Sequence, residues 1–257
     1  MKVLVTGASG YFGRTLVQIL QTKARWTVLT PLREEFDLRY RLDHSFQVNY
    51  IIHAAARRYG TITECIDDNV IGTANLIEFA KKQNNLKSFI FISSSDVVGP
   101  GSDPRDEEAT LSPTTPYAFT KAAAERLCEC SGLPVTICRP VNIVCSESDP
   151  RKFPSICRQI IFSEKILTIY EGSRMYIHAR DVAEAIIAVM DTPGKFNIVG
   201  KELSNRQVAE IVAKKLKKEL FYEMKKGGSG HEPSYNLSGE KLFKKGWIIK
   251  TDVEEYI

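Results

Sequence analysis

Tyr117 and Lys121 lie four residues apart in the segment PYAFTKAAAERLCECSG, so on a helix they share one face. A tyrosine holds its proton to about pH 10 and is a poor base alone. A lysine one turn away stabilises the phenolate and makes the proton exchangeable. Such a tyrosine can take a proton from a hydroxyl as hydride leaves the same carbon, or return it to a carbonyl. Ser93, Ser94 and Ser95 end an apolar run, LKSFIFISSS, and one of their hydroxyls is placed to hold the reacting oxygen.

Hydride chemistry needs an acceptor, and the first twenty residues, KVLVTGASGYFGRTLVQILQ, point to one. Val3 and Val5 mark a short strand; Gly7, Gly10 and Gly13 follow; Leu16, Val17 and Leu20 then recur at helical spacing. A glycine-rich strand-to-helix turn lets a pyrophosphate approach the backbone and the positive end of the helix. The spacing predicts a dinucleotide site. A carboxylate at the tip of the second strand would address the ribose 2′-hydroxyl of NAD. Here WTVLT (26–30) is followed by Pro31, Leu32 and Arg33, which favours NADP through a guanidinium on the 2′-phosphate. Glu34 or Glu35 on the ribose is the competing reading.

The elements that position these groups alternate. Strands are expected at 26–30, 48–55, 86–95 and 133–140, and helices at 69–82 and 116–132, the latter with Gly132 as C-cap. The near-continuous apolar character of VNYIIHAA is that of a buried parallel strand. The pattern predicts an α/β fold: a Rossmann-type, doubly wound parallel sheet with a small C-terminal substrate lobe. Residues 1–142 form the dinucleotide-binding domain with the Tyr/Lys helix. Residues 143–257 form a smaller, mainly substrate-binding lobe, with some segments returning to the main sheet. Helices at 153–165, 179–192 and 204–218, strands at 166–170 and 196–200, and a GGSG loop at 227–230 make up that lobe. Ser204 and Gln207 fit a capping box.

Composition excludes several other classes. Thirty-five basic against 31 acidic residues, a net charge of +4, is too small an excess for a nucleic-acid binder. No stretch reaches the ~20 apolar residues of a membrane helix, and no secretion signal is visible. The six cysteines, at 65, 128, 130, 138, 145 and 157, form no CxxC pair, and no metal site is expected. They read as reduced thiols of a cytoplasmic protein.

Taken in order, TGASGYFG (6–13), HAAA (53–56), NVIGTANLI (69–77), SSSDVVG (93–99), PYAFTKAAAE (116–125), RPVN (139–142) and GSRMYIHARDVAEAI (172–186) resemble the extended short-chain dehydrogenase/reductases. The resemblance is to the NAD-dependent epimerase/dehydratase group that modifies nucleotide sugars. It implies Ser94, Tyr117 and Lys121 as the catalytic set. It implies Gly7, Gly10, Tyr11, Phe12, Gly13, Arg33, Asp37, Leu38, Ala54, Ala55 and Asn69 around the cofactor. Ser94, Ser95, Asn142 and Arg174 would face substrate, Arg174 meeting the diphosphate. Relatives often pair as homodimers through two helices of the cofactor domain.

Three departures narrow the reaction. Val98 replaces the tyrosine of the usual VYG, and Val144, Cys145 and Ser146 replace YGP. Sugar dehydratases resemble one another in an Asp-Glu pair after the catalytic hydroxyl, where this chain has Ser95 and Asp96. Epimerisation or ketone reduction of a nucleotide-activated sugar is therefore expected ahead of dehydration. An oxidoreductase of a non-nucleotide ketone or alcohol, and a non-catalytic cofactor-binding regulatory protein, are the alternatives.

Overall fold

The computed structural model describes residues 1–145, 149–227 and 235–257; Ser146 and most of the GGSG loop lie outside the described residues. Strand β1 (Lys2–Thr6) leads into helix α1 (Tyr11–Gln21), then β2 (Thr27–Leu29) and β3 (Tyr50–His53). Helix α2 (Ile62–Ile66) runs through a wide π turn at Asp67–Ile71 into α3 (Gly72–Lys81). Strand β4 (Ser88–Ile92), the short β5 (Gly101–Arg105), α4 (Pro116–Glu129) and β6 (Val135–Pro140) follow.

In the C-terminal part come β7 (Asn142–Val144), α5 (Phe153–Phe162), β8 (Leu167–Tyr170), β9 (Ser173–His178) and α6 (Ala179–Val189). The chain continues through β10 (Gly194–Ile198), β11 (Lys201–Ser204), α7 (Asn205–Leu216), β12 (Tyr222–Lys225), β13 (Tyr235–Leu237) and α8 (Glu240–Phe243).

Six parallel strands form the main sheet in the order β10-β6-β4-β3-β1-β2. The strand period of two explains the two layers of core. Val3 and Val5 join Leu16, Leu20, Ile90, Ile186 and Phe196 on one face. Leu4, between them, joins Ile51, Leu76, Phe79, Phe89 and Phe91 on the other. Every residue of β3 and β4 is buried, as strands covered on both faces must be. The fold is a doubly wound Rossmann-type sheet with added C-terminal elements. A three-stranded sheet β11-β9-β7 and the pair β12-β8 enclose a separate core of Cys157, Ile161, Ile169, Tyr176, Val208 and Val212.

Several boundaries differ from the sequence expectation. The 69–82 helix begins upstream, at Ile62, behind a capping box in which Thr61 and Glu64 exchange hydrogen bonds. The catalytic helix ends at Glu129 with Cys130 as its cap, so Gly132, at φ +75°, turns the chain two residues later. The Ser204/Gln207 box forms as expected.

A buried ion pair fixes α4 to the sheet. Arg139 on β6 donates to both oxygens of Glu125 on α4, at 3.0 and 2.7 Å, and to the Glu107 carbonyl at 3.0 Å. Both side chains are essentially inaccessible.

Candidate active site

A cavity of about 1120 Å³ opens beyond the carboxyl ends of β1, β3 and β4, where the strand order reverses. The three glycines of its floor have different reasons to be there. Gly7 has φ +73°, and a Cβ there would sit 2.5 Å from the Ala55 nitrogen. At Gly13 a Cβ would stand 2.0 Å from the Gly7 carbonyl oxygen, so the helix could not seat on the turn. At Gly10 it would meet only the Gly7 oxygen, at 3.3 Å. Gly10 is instead the N-cap of α1, with no side-chain cap and no acid in the first turn. The first N–H groups of α1 thus remain for an anion in the cavity, and a dinucleotide pyrophosphate fits them.

At the far end, Thr30, Pro31, Leu32, Arg33, Asp37 and Leu38 line the wall, and no acid stands at the tip of β2. Arg39 grips Asp37 with both guanidinium edges, which holds its carboxyl down to about 2. Arg33 is not idle: its Nη2 donates to Asp68 at 2.7 Å, and Arg57 donates to the other Asp68 oxygen at 2.5 Å. Tyr11, Phe12, Ala54 and Ala55 complete the cofactor side.

The catalytic helix starts cleanly: Thr115 accepts from Ala118 N–H at 3.1 Å and Pro116 takes the first position. This puts Tyr117 in the cavity wall together with Ser94, whose hydroxyl favours the phenolate. The Ser94 oxygen accepts from Asp96 N–H at 3.2 Å, leaving its proton for the phenol oxygen. Of the three serines, Ser94 is the one whose hydroxyl acts on Tyr117.

Burial pushes Tyr117 up to about 12, while the Arg58 guanidinium, 5.2 Å from its ring centre, is the foremost charge pulling it down. Lys121 was expected in that role. Its ammonium sits instead 4.0 Å over the Phe91 ring, 2% exposed, and burial brings it down to about 8. Both residues line the cavity: Tyr117 stands beside Arg58 of the 57–59 loop, and Lys121, one turn on, lies deeper beside Phe91 of β4.

Below the cavity runs an unbroken hydrogen-bond chain. Thr73 donates to the Asn69 carbonyl at 2.6 Å, so its oxygen accepts from His53 Nε2, 3.0 Å away. His53 Nδ1 then accepts from Thr6 at 2.7 Å. Burial, helped by the Lys121 charge, lowers His53 to about 3 and keeps it neutral. Asn69 donates to Thr120 at 2.9 Å, and Thr120 donates to the Tyr117 carbonyl at 2.8 Å. The strand that carries the glycine turn is thereby tied to the backbone of Tyr117.

Asn69 itself does not line the cavity. Its amide also closes the 57 loop, exchanging bonds with Arg57 N–H and C=O at 2.7 and 2.8 Å, so its whole amide is engaged by protein. Asn142 and Ser95 do line it, and Asn142 donates to the Met175 carbonyl at 3.1 Å. Arg174, on β9 opposite Leu203, is not among the lining residues. The wall near Tyr117 carries Arg58, Tyr59, Asp96, Arg151 and Lys152 instead. Of these, only Arg58 had a visible signal, as a basic pair directly after the HAAA strand end.

Residues 3–199 match the NAD dependent epimerase/dehydratase family. The chain belongs to that family. An Arabidopsis thaliana trifunctional UDP-glucose 4,6-dehydratase/UDP-4-keto-6-deoxy-D-glucose 3,5-epimerase/UDP-4-keto-L-rhamnose-reductase is 29% identical over 98% of this chain. The chain spans 45% of that protein and about a third of two others of the same description. RMD from Pseudomonas aeruginosa, solved with NADPH, superposes with a TM-score of 0.86 at 25% identity, covering 99% of this chain and 95% of that one. The Bacillus cereus UDP-glucuronic acid 4-epimerase, with UDP-glucuronic acid and NAD, shares the fold at a TM-score of 0.87 and 21% identity, covering 100% and 96%. Among the described residues no helix is long and apolar enough to cross a membrane.

Proposed function

We propose that the protein is an NAD(P)-dependent epimerase or ketoreductase of a nucleotide-activated sugar. The observation that carries this is that Ser94, Tyr117 and Lys121 together line one cavity whose other end is an uncapped helix terminus. The bound nicotinamide supplies the hydride acceptor or donor; this chain supplies the proton. Ser94 orients the reacting oxygen and Tyr117 exchanges its proton. Lys121, mostly charged at neutral pH with its value near 8, adds to the field around the bound dinucleotide.

Burial keeps the Tyr117 phenol protonated at neutral pH, and both epimerisation and ketone reduction use that proton. Dehydration has less support, because the single acid after Ser95 is Asp96, 3.6 Å from Arg58 and paired with no second carboxylate. NADP is the preferred cofactor: the tip of β2 carries no acid and Arg33 lines the cavity, although a 2′-phosphate must compete with Asp68 for it. Exposed Ile62, Ile71 and Phe119 on α2, the π turn and α4 support a homodimer through these helices. All six cysteines are free thiols, in keeping with a cytoplasmic protein.

A screen of nucleotide sugars with purified protein tests this, following nicotinamide absorbance and product mass together. Net cofactor consumption identifies a reductase, isomerisation without it an epimerase. No turnover and no binding of any nucleotide sugar would overturn the reading. A non-nucleotide substrate is the second reading, favoured by one observation: Arg174 is absent from the cavity wall.

A further inference from the structure

We propose that Arg58 and Lys152 form an anion subsite beside Tyr117, taking a phosphate or carboxylate group of the substrate. This rests on the nucleotide-sugar reading and supplies the charge that Arg174 does not bring to the cavity. The two side chains reach the same cavity from opposite parts of the chain, the loop after β3 and the residue capping α5. Tyr59 lies between them in sequence and space: it follows Arg58 directly, and Arg151, next to Lys152, stacks on its ring at 3.8 Å.

Neither cation has a carboxylate within hydrogen-bond distance. The nearest carboxylate to Arg58 is Asp96, at 3.6 Å, beyond hydrogen-bond distance, and the Arg58 side chain is 42% exposed. Lys152 donates to a neutral acceptor, the Ile143 carbonyl, at 2.5 Å. Arg151 differs, since Asp149 holds it with two bonds at 2.9 and 3.0 Å. Lys152 is lowered by burial and by the charge of Arg58, so an anion between the two restores its charged form. Because the guanidinium lies over the Tyr117 ring, an anion bound to it sits within about one sugar ring of the proton-transfer oxygen.

The test is calorimetric binding to the full chain saturated with reduced NADP, so that the cofactor's own phosphate sites are filled. UDP, UDP-glucose, UDP-glucuronic acid and inorganic pyrophosphate are the probes; Arg58→Met, Lys152→Met, their double variant and Arg58→Lys are compared with the parent. Each Met variant is expected to weaken binding roughly tenfold, with the double variant losing less than the product of the two. Arg58→Lys should recover part of the loss, and unfolding temperatures and cofactor affinity should stay at parental values. Weakening with all four probes identifies the diphosphate as the anion; weakening confined to UDP-glucuronic acid identifies a sugar carboxylate. Unchanged binding in folded variants overturns the subsite. If the parent binds pyrophosphate through these residues but no nucleotide sugar, the subsite stands and the proposed substrate class falls. A parent that binds no probe removes both.

Discussion

The floor of the cavity and its rim are built on opposite rules. On the floor, Thr6, His53, Thr73, Asn69 and Thr120 pass hydrogen bonds from one strand to the catalytic helix, and Arg139 and Glu125 neutralise each other in full burial. On the rim, Arg58, Tyr59, Arg151 and Lys152 are partly exposed, and two of the three cations lack a carboxylate within hydrogen-bond distance. The floor fixes where Tyr117 stands; the rim fixes what charge it sees. Satisfied buried networks resist change because removing one member strands the others in low dielectric. Rim charges can vary at little cost in stability, which suits them to selecting a substrate.

Replacements at the two levels should separate stability from chemistry. Tyr117→Phe removes the exchanging proton and should lower kcat by about 10²–10⁴-fold while leaving cofactor affinity intact; unchanged turnover would remove the tyrosine from the mechanism. Glu125→Ala strands Arg139 and should cost about 3–5 kcal/mol in denaturant unfolding. The rim pair gives the contrast: Asp149→Ala, which frees the exposed Arg151, should cost about 0–1 kcal/mol. Equal losses at the two sites would break the distinction.

The glycines sharpen it further. Gly13→Ala drives a methyl into the Gly7 carbonyl and should cost about 1–3 kcal/mol. Gly10→Ala should leave the unfolding temperature near parental and weaken cofactor binding alone. A pH-dependent effect concerns Lys121, whose folded value near 8 lies below the 10.5 of the free side chain. Burying its charge costs stability in full below pH 8, and that cost fades as pH rises toward 10.5. Lys121→Met should therefore unfold later than the parent at pH 7, with the gap closing in alkali.

The same division explains how much was legible beforehand. Strand alternation and glycine spacing act through the backbone, so the six strands of the main sheet, the helices up to Pro140 and the turn at Gly7–Gly13 could be read directly, while β5 and the helix start at Ile62 could not. The serine acting on Tyr117 could be narrowed to a run of three, since a one-residue shift at a strand end is not fixed by spacing. The helix start at Thr61 was missed because its capping box precedes a segment without strong apolar periodicity. Asn69 was expected on the cofactor and instead links a loop to the catalytic helix, a distinction that depends on the π turn setting its direction. Arg58, Arg151 and Lys152 converge from distant segments onto loops, and no spacing rule connects them. Short strands such as Asn142–Val144 and Lys201–Ser204 were also unreadable, since three or four residues carry too little alternation.

The account stands on Tyr117 as a phenol whose acidity is set by what binds beside it, and its titration measures that directly. With tyrosine carrying a ¹³C label at the ring carbon bonded to oxygen, the Tyr117 resonance is assigned by its loss in Tyr117→Phe and followed against pH, with and without oxidised NADP. Without the dinucleotide the phenol should titrate near 12. With it, the added positive charge should move the midpoint down by roughly one to three units. The same midpoint in both states would contradict the account.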